Sequence, residues 1–195
     1  MIAIVDYGAG NISSVAKALA HLGADAQVTS DPVVISAAEK MIVPGVGHFS
    51  RCRSLNDNLR APVLDGIAAG KPFLGICVGM QWLFQGSTEA PETPGAGLFA
   101  GECSRFPASV KSPHVGWNRI EIAGQSRLLH GIENGAFVYY THSFRAPIIP
   151  DTAATTEYGG AFSAAVERGN IFGVQFHPEK SAEAGLRILE NFCEL

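Results

Sequence analysis

The sequence predicts an α/β fold built on a mixed, mostly parallel sheet, with an antiparallel extension and helices on both faces. Two observations carry this. As far as Phe84, short apolar, β-branched runs alternate with stretches at helical spacing, the pattern of a parallel sheet with crossover helices. Beyond that point strand-like runs follow one another across short turns.

In order, IAIVD (2–6) is a strand closed by the turn signal DYGAGN. Ile12, Val15, Ala16, Leu19 and Leu22 then recur at helical spacing, and Gly23 stops the helix. AQVTS (26–30) and KMIVPG (40–45) read as the second and third strands. Leu64, Ile67 and Ala68 suggest a helix that starts at Pro62 and stops at Gly70. KPFLGIC (71–77) is a fourth strand, followed by a helix over Met80 to Phe84. In the second half RIEI, AFVYYTHSF, SAAVERG and NIFGVQF are strand-like, and RGN suits a hairpin turn. The last helix, SAEAGLRILENFCEL, places Ala182, Leu186, Leu189 and Cys193 on one face.

The 195 residues show no linker or repeat, so one domain over 1–195 is expected. The net charge of −4, without a Lys/Arg cluster, argues against binding a phosphate backbone. No basic leader precedes the first strand and no apolar run approaches membrane length, so a cytoplasmic protein is expected. Only 16% of residues are charged, a composition that suits a surface partly covered by another protein. Cys52, Cys77, Cys103 and Cys193 show neither disulfide-framework nor zinc spacing. DYGAGNIS and PGVGHFS both fail to complete a dinucleotide-binding glycine pattern, since Ser13 and Ser50 hold the third position. Neither a metal nor a cofactor is called for.

Cys77 stands apart. FLGICVGMQ sets it between a strand and a helix, with Gly75 and Gly79 two residues to either side, the thiol counterpart of a nucleophile elbow. A tight turn there forces strained dihedrals on the cysteine and holds its side chain clear of the sheet, while the helix start favours thiolate. Taken alone, the segment reads equally well as a buried cysteine ending a core strand. His177 is the candidate base, placed where NIFGVQFHPE leaves its strand, with Glu179 two residues on to orient the ring. An isolated His-Pro-Glu at a strand end is more often of no consequence; its weight comes from the cysteine. The loop VPGVGHF offers amides at Gly45, Val46 and Gly47 for an oxyanion, with the amide of Val78 as a second donor. By itself that loop is more readily a plain turn.

PGVG, GICVGMQ and GVQFHPE, in this order, resemble the class I, triad-type glutamine amidotransferases, which have a flavodoxin-like fold. IVDYGAGN, PGVGHF, HVGWN (114–118), THSF after FVYY, and EKS after His-Pro resemble one branch, the glutaminase subunits of imidazole glycerol phosphate synthases of the histidine pathway. The resemblance spans residue 2 to about 192. It implies Cys77 as nucleophile, His177 as general acid/base and Glu179 as its partner. It also implies substrate contacts at Gly47, Gln81 and the main chain near His142 and Ser143, and a reorienting Gly45–Val46 peptide. The implied partner is a (β/α)8-barrel synthase subunit that receives ammonia from glutamine. Tyr7, Asn11, Trp117, Asn118, Tyr140 and Lys180 fall in segments that line or approach that interface in the family. Each also has a plain alternative, such as Trp117 in the core, Lys180 as a solvated charge or Asn11 as a helix cap. Val78 stands where the family often has Leu, a change that leaves the backbone amide in place. Anthranilate or aminodeoxychorismate synthases are the alternative setting, against which DYGAGN and HVGWN speak. The intact Cys77, His177 and Glu179 set speaks against a relative that kept the fold and lost the chemistry. The stretch 87–97 carries no legible signal.

Overall fold

The structure, a computed structural model, describes residues 1–195. The first half runs β1 (Ile2–Val5), α1 (Ile12–His21), β2 (Ala26–Thr29), α2 (Pro32–Ala37), β3 (Lys40–Gly45), α3 (Cys52–Asn58), α4 (Arg60–Ala68), β4 (Phe73–Cys77) and α5 (Val78–Trp82). The second half contains β5 (Gly86–Ser87), β6 (Glu102–Arg105), β7 (His114–Arg119), β8 (Glu121–Ile122), β9 (Phe137–His142), β10 (Phe144–Arg145), β11 (Thr152–Glu157), β12 (Ala161–Arg168), β13 (Ile171–Val174) and α6 (Ala182–Glu194).

The main sheet has the order β2-β1-β3-β4-β13-β12-β11-β8. Its first five strands are parallel and the last three antiparallel. From β1 the chain moves to one side to reach β2, then back across to β3 and β4. Right-handed crossovers therefore put α1 on one face and α2 and α4 on the other. The helices pack accordingly, α1 beside α6 and α2 beside α4. The residues of β1, β3 and β4 are almost all enclosed, which is why they read as unbroken apolar runs; each Ile, Leu or Phe so buried contributes roughly 1.5–3 kcal/mol. No helix is long and apolar enough to cross a membrane.

Several expectations need correction. The last strand, β13, belongs to the parallel half, inserted beside β4 and not in the antiparallel extension. AFVYYTHSF breaks at Ser143, and β9 leaves the main sheet to form a separate ribbon with β7. RIEI is likewise divided, at Ile120, between β7 and β8. A strand over TAATTE was not anticipated, because alternating small residues and threonines give little apolar signal. Two helices, α2 and α3, were also missed. The α2 signal was present: Asp31 Oδ1 accepts the Val33 amide at 2.8 Å, and Pro32 occupies the first turn. The helix after Cys77 begins at once, at Val78, and ends at Trp82. The α4 helix starts at Arg60, ahead of Pro62. Finally, α6 is turned relative to its predicted face. Ala182 is exposed, and Gly185, Ile188, Leu189 and Phe192 face inward. At Gly185 a Cβ would lie 1.9 Å from the Pro178 carbonyl oxygen, so the helix seats through its glycine.

Candidate active site

The segments after β1, β3, β4 and β13 all emerge at the carboxyl edge of the parallel strands, where ligand sites of such sheets form. The register does the rest. Gly45 pairs with Cys77, and Val174 pairs with Ile76, so residues 175–177 leave β13 alongside the cysteine.

Cys77 has φ 54° and ψ −108°, a conformation that costs a non-glycine residue about 1–3 kcal/mol and that the surrounding chain must impose. What imposes it is close packing of the turn onto β3. A Cβ on Gly79 would come 1.8 Å from the Val43 carbonyl oxygen, and one on Gly75 would come 2.5 Å from that of Gly79. Neither backbone oxygen can step aside without displacing β3 or α5. Gly79→Ala is therefore expected to destabilise the protein by about 3 kcal/mol or more, read as a shift in the denaturant midpoint.

His177 Nδ1 lies 2.9 Å from Glu179 Oε1, and both side chains are shut off from solvent. The backbone fixes this pair: His177 N–H donates to the Tyr139 carbonyl at 2.9 Å, and Ser181 Oγ donates to the His177 carbonyl at 2.6 Å. Asn11 Nδ2 donates to the same Glu179 oxygen at 3.1 Å. The Nε2 of His177 is buried with no hydrogen-bond partner in the protein. Burial opposes a charge on this ring, but the neighbouring Cys77 sulfur and the Glu179 carboxylate outweigh it and raise the imidazolium to about 10. Despite its burial, this ring is an imidazolium near pH 7. By contrast, burial pushes Cys52 up to about 12, and raises Cys103 and Cys193 as well, leaving all three as neutral thiols near pH 7.

A pocket of about 240 Å3 opens over the sulfur. It brings together Gly47, Cys77, Val78, Gln81, His142 and Ser143, all singled out from sequence, with Glu89, Pro113, Thr141 and Phe144, which were not. Gly45 lies beside Cys77 in the ladder, and Val46 follows it, half-buried. The Glu89 carboxylate accepts the Phe49 amide at 2.8 Å, clasping the end of the glycine loop. Gln175 is a further residue that the sequence reading missed. Its Nε2 donates to Cys77 Sγ at 3.6 Å, and its Oε1 accepts from Gln81 Nε2 at 3.0 Å. The signal was its place two residues before His177, on the same side of an extended segment.

The proposed interface residues divide. Trp117 and Lys180 are exposed and Asn118 is half-buried, while Lys180 Nζ sits over the Tyr139 ring at 5.8 Å. Tyr140 is a correction: its ring is fully enclosed and its hydroxyl bonds Thr156 Oγ1 at 2.6 Å. Strand alternation turns Tyr139 outward instead, opposite Trp117 in the ribbon. Tyr7 is a second correction, buried with its hydroxyl against Gly45. Asn11 neither caps α1 through its side chain nor turns its amide outward; that amide serves Glu179.

The family model of class-I glutamine amidotransferases matches residues 3–195. Imidazole glycerol phosphate synthase subunit HisH of Methanothermobacter thermautotrophicus is 47% identical, covering 100% of this chain and 98% of the relative. The HisH subunit of Thermococcus kodakarensis is 45% identical over 100% of both chains. Among solved structures, PurLQS from Thermotoga maritima superposes with a TM-score of 0.78 at 20% identity, covering 99% of this chain and 97% of that one. A crystal structure of a glutamine amidotransferase gives a TM-score of 0.78 at 18% identity, over 100% and 98%. Those two likenesses bear on the fold. The chain belongs to the class-I glutamine amidotransferase family, in the branch of the imidazole glycerol phosphate synthase HisH subunits.

Proposed function

We infer that this chain is a single, cytoplasmic glutaminase domain that hydrolyses L-glutamine and delivers ammonia to a (β/α)8-barrel synthase subunit, as a heterodimer making imidazole glycerol phosphate and aminoimidazole carboxamide ribotide. One observation carries the reading: a strained cysteine at the floor of a pocket, next to a buried histidine held by a carboxylate. The Cys77 thiolate attacks the side-chain amide carbon of glutamine, and the oxyanion is held by amides of the Gly45–Gly47 loop and of Val78. His177 gives its proton to the departing nitrogen, so ammonia leaves and a glutamyl thioester remains. It then takes a proton from water, which attacks the thioester and frees glutamate. Glu179 holds the ring and favours its charged form. The Glu89 carboxylate at the pocket wall suits the α-ammonium of the substrate.

The exposed ribbon supports a docking partner. Val115, Trp117 and Phe137 are each more than half exposed and share the ribbon with Tyr139, beside the turn that carries His177 and Lys180. The assay is glutamate release by the chain alone, with a barrel-type imidazole glycerol phosphate synthase subunit, and with an anthranilate synthase subunit. Near inactivity alone and strong stimulation by the first partner only are expected. High activity without any partner would sink the coupled reading, and stimulation by the second would reassign the pathway.

A further inference from the structure

We propose that His114 and His142 are positioning residues, two neutral rings that link Asn118 on the exposed ribbon to Gln81 and, through Gln175, to the sulfur of Cys77. The inference rests on the glutaminase reading for its consequence, but its geometry stands alone. Asn118 Oδ1 accepts the Arg119 amide at 2.8 Å, and its Nδ2 donates to the Glu157 carbonyl at 3.1 Å. The amide is thereby oriented, and the contact of Nδ2 with His114 Nε2 at 3.3 Å makes that ring nitrogen an acceptor. His114 must then carry its proton on Nδ1, which meets His142 Nε2 at 3.1 Å. His142 in turn carries its proton on Nδ1, donating to the Phe144 carbonyl at 2.8 Å. Only one assignment of protons satisfies the whole chain.

The Phe144 carbonyl also accepts Gln81 Nε2 at 2.8 Å, and Gln81 continues to Gln175 and the sulfur. The wall of the pocket, Thr141 to Phe144, is thus tied to β7 by the two rings in addition to the β7–β9 ladder, in which His114 pairs with His142. A second proton on either ring would set donor against donor, at Asn118 or between the rings. Their surroundings resist it. His114 is stacked between Tyr140 and Tyr158, Phe106 turns its edge to both rings, and Arg145 and His177 add positive charge near His142. Burial accordingly lowers His114 to about 4 and His142 to about 3.

Two measurements on the complex with its barrel subunit test this. The first is a long-range proton–nitrogen correlation spectrum of 15N-histidine-labelled chain, assigned with His114→Asn. Both rings should be neutral, protonated at Nδ1, and unchanged between about pH 8 and 5.5. A ring protonated at Nε2, or at both nitrogens, overturns the proposal. The second compares His114→Leu, which removes the donor to His142, with His114→Asn, which keeps a donor near the Nδ1 position. The leucine variant should raise KM for glutamine about tenfold with kcat changed less than about twofold, and the asparagine variant should recover most of the loss. Ammonia-dependent synthesis should be unaffected in both. Equal damage in the two variants, or a loss confined to kcat, would reduce the rings to packing. Failure of the glutaminase reading is separately visible, as full glutamine-dependent activity in Cys77→Ala with the tautomers intact.

Discussion

In the complex, Cys77→Ala is expected to lower glutamine-dependent synthesis by about 10^4-fold or more while leaving synthesis from added ammonium salts intact. The size follows from the route. Without the sulfur no thioester forms, and none of the other thiols can substitute, because burial keeps Cys52, Cys103 and Cys193 protonated. Ammonia supplied from solution bypasses the pocket, so the second activity reports on an undamaged partner. Survival of both activities would remove Cys77 from the chemistry. A second readout belongs to the same variant. Removing the sulfur takes away the largest influence raising His177, while burial continues to lower it. The imidazolium should therefore lose its proton at lower pH than the wild-type value of about 10, as an NMR titration of the ring would record.

What could be read in the sequence follows from how local each signal is. The strands β1, β3 and β4 announce themselves because both of their faces are covered, leaving no polar alternation to blur them. His177 and Glu179 were legible as a pair because only Pro178 separates them along the chain. The place of β13 beside β4 was not, since parallel pairing across some hundred residues leaves no mark on either segment. Tyr140 was misplaced for want of period-two reasoning. In Phe137–His142 the inward set is Val138, Tyr140 and His142, which leaves Tyr139 to face outward. Glu89 lies in a segment with no periodicity at all, and only the folded chain brings its carboxylate to the pocket. Gln175 is the instructive omission. A glutamine wholly buried next to the end of an apolar strand needs partners for both ends of its amide, and here they are Gln81 and the Cys77 sulfur.

Glu179→Gln should reduce glutamine-dependent kcat/KM by about 10^3–10^4-fold, the scale lost when the orienting carboxylate of such a triad is amidated. Shape is nearly conserved, so the loss must come from charge and hydrogen bonding. Glu179 Oε1 accepts from both His177 Nδ1 and Asn11 Nδ2, while Oε2 is buried with no partner. An amide whose oxygen stays on the two donors buries an unsatisfied NH2, and the opposite orientation faces donors with donors. Either way the negative charge that helps keep His177 protonated is gone. The sign is fixed: losing an anion lowers the pKa of the cation beside it. In the wild type the raised imidazolium contributes stability fully below about pH 6.5 and loses that contribution as pH climbs through about 10. In the variant both the alkaline limb of kcat/KM and this stability term should move toward neutrality. If the alkaline limb stayed in place while the rate fell, the carboxylate would be orienting the ring without tuning its charge. Asn11→Ala offers the graded counterpart, since it removes one donor to the carboxylate and keeps the charge, and its loss in kcat/KM should be about tenfold.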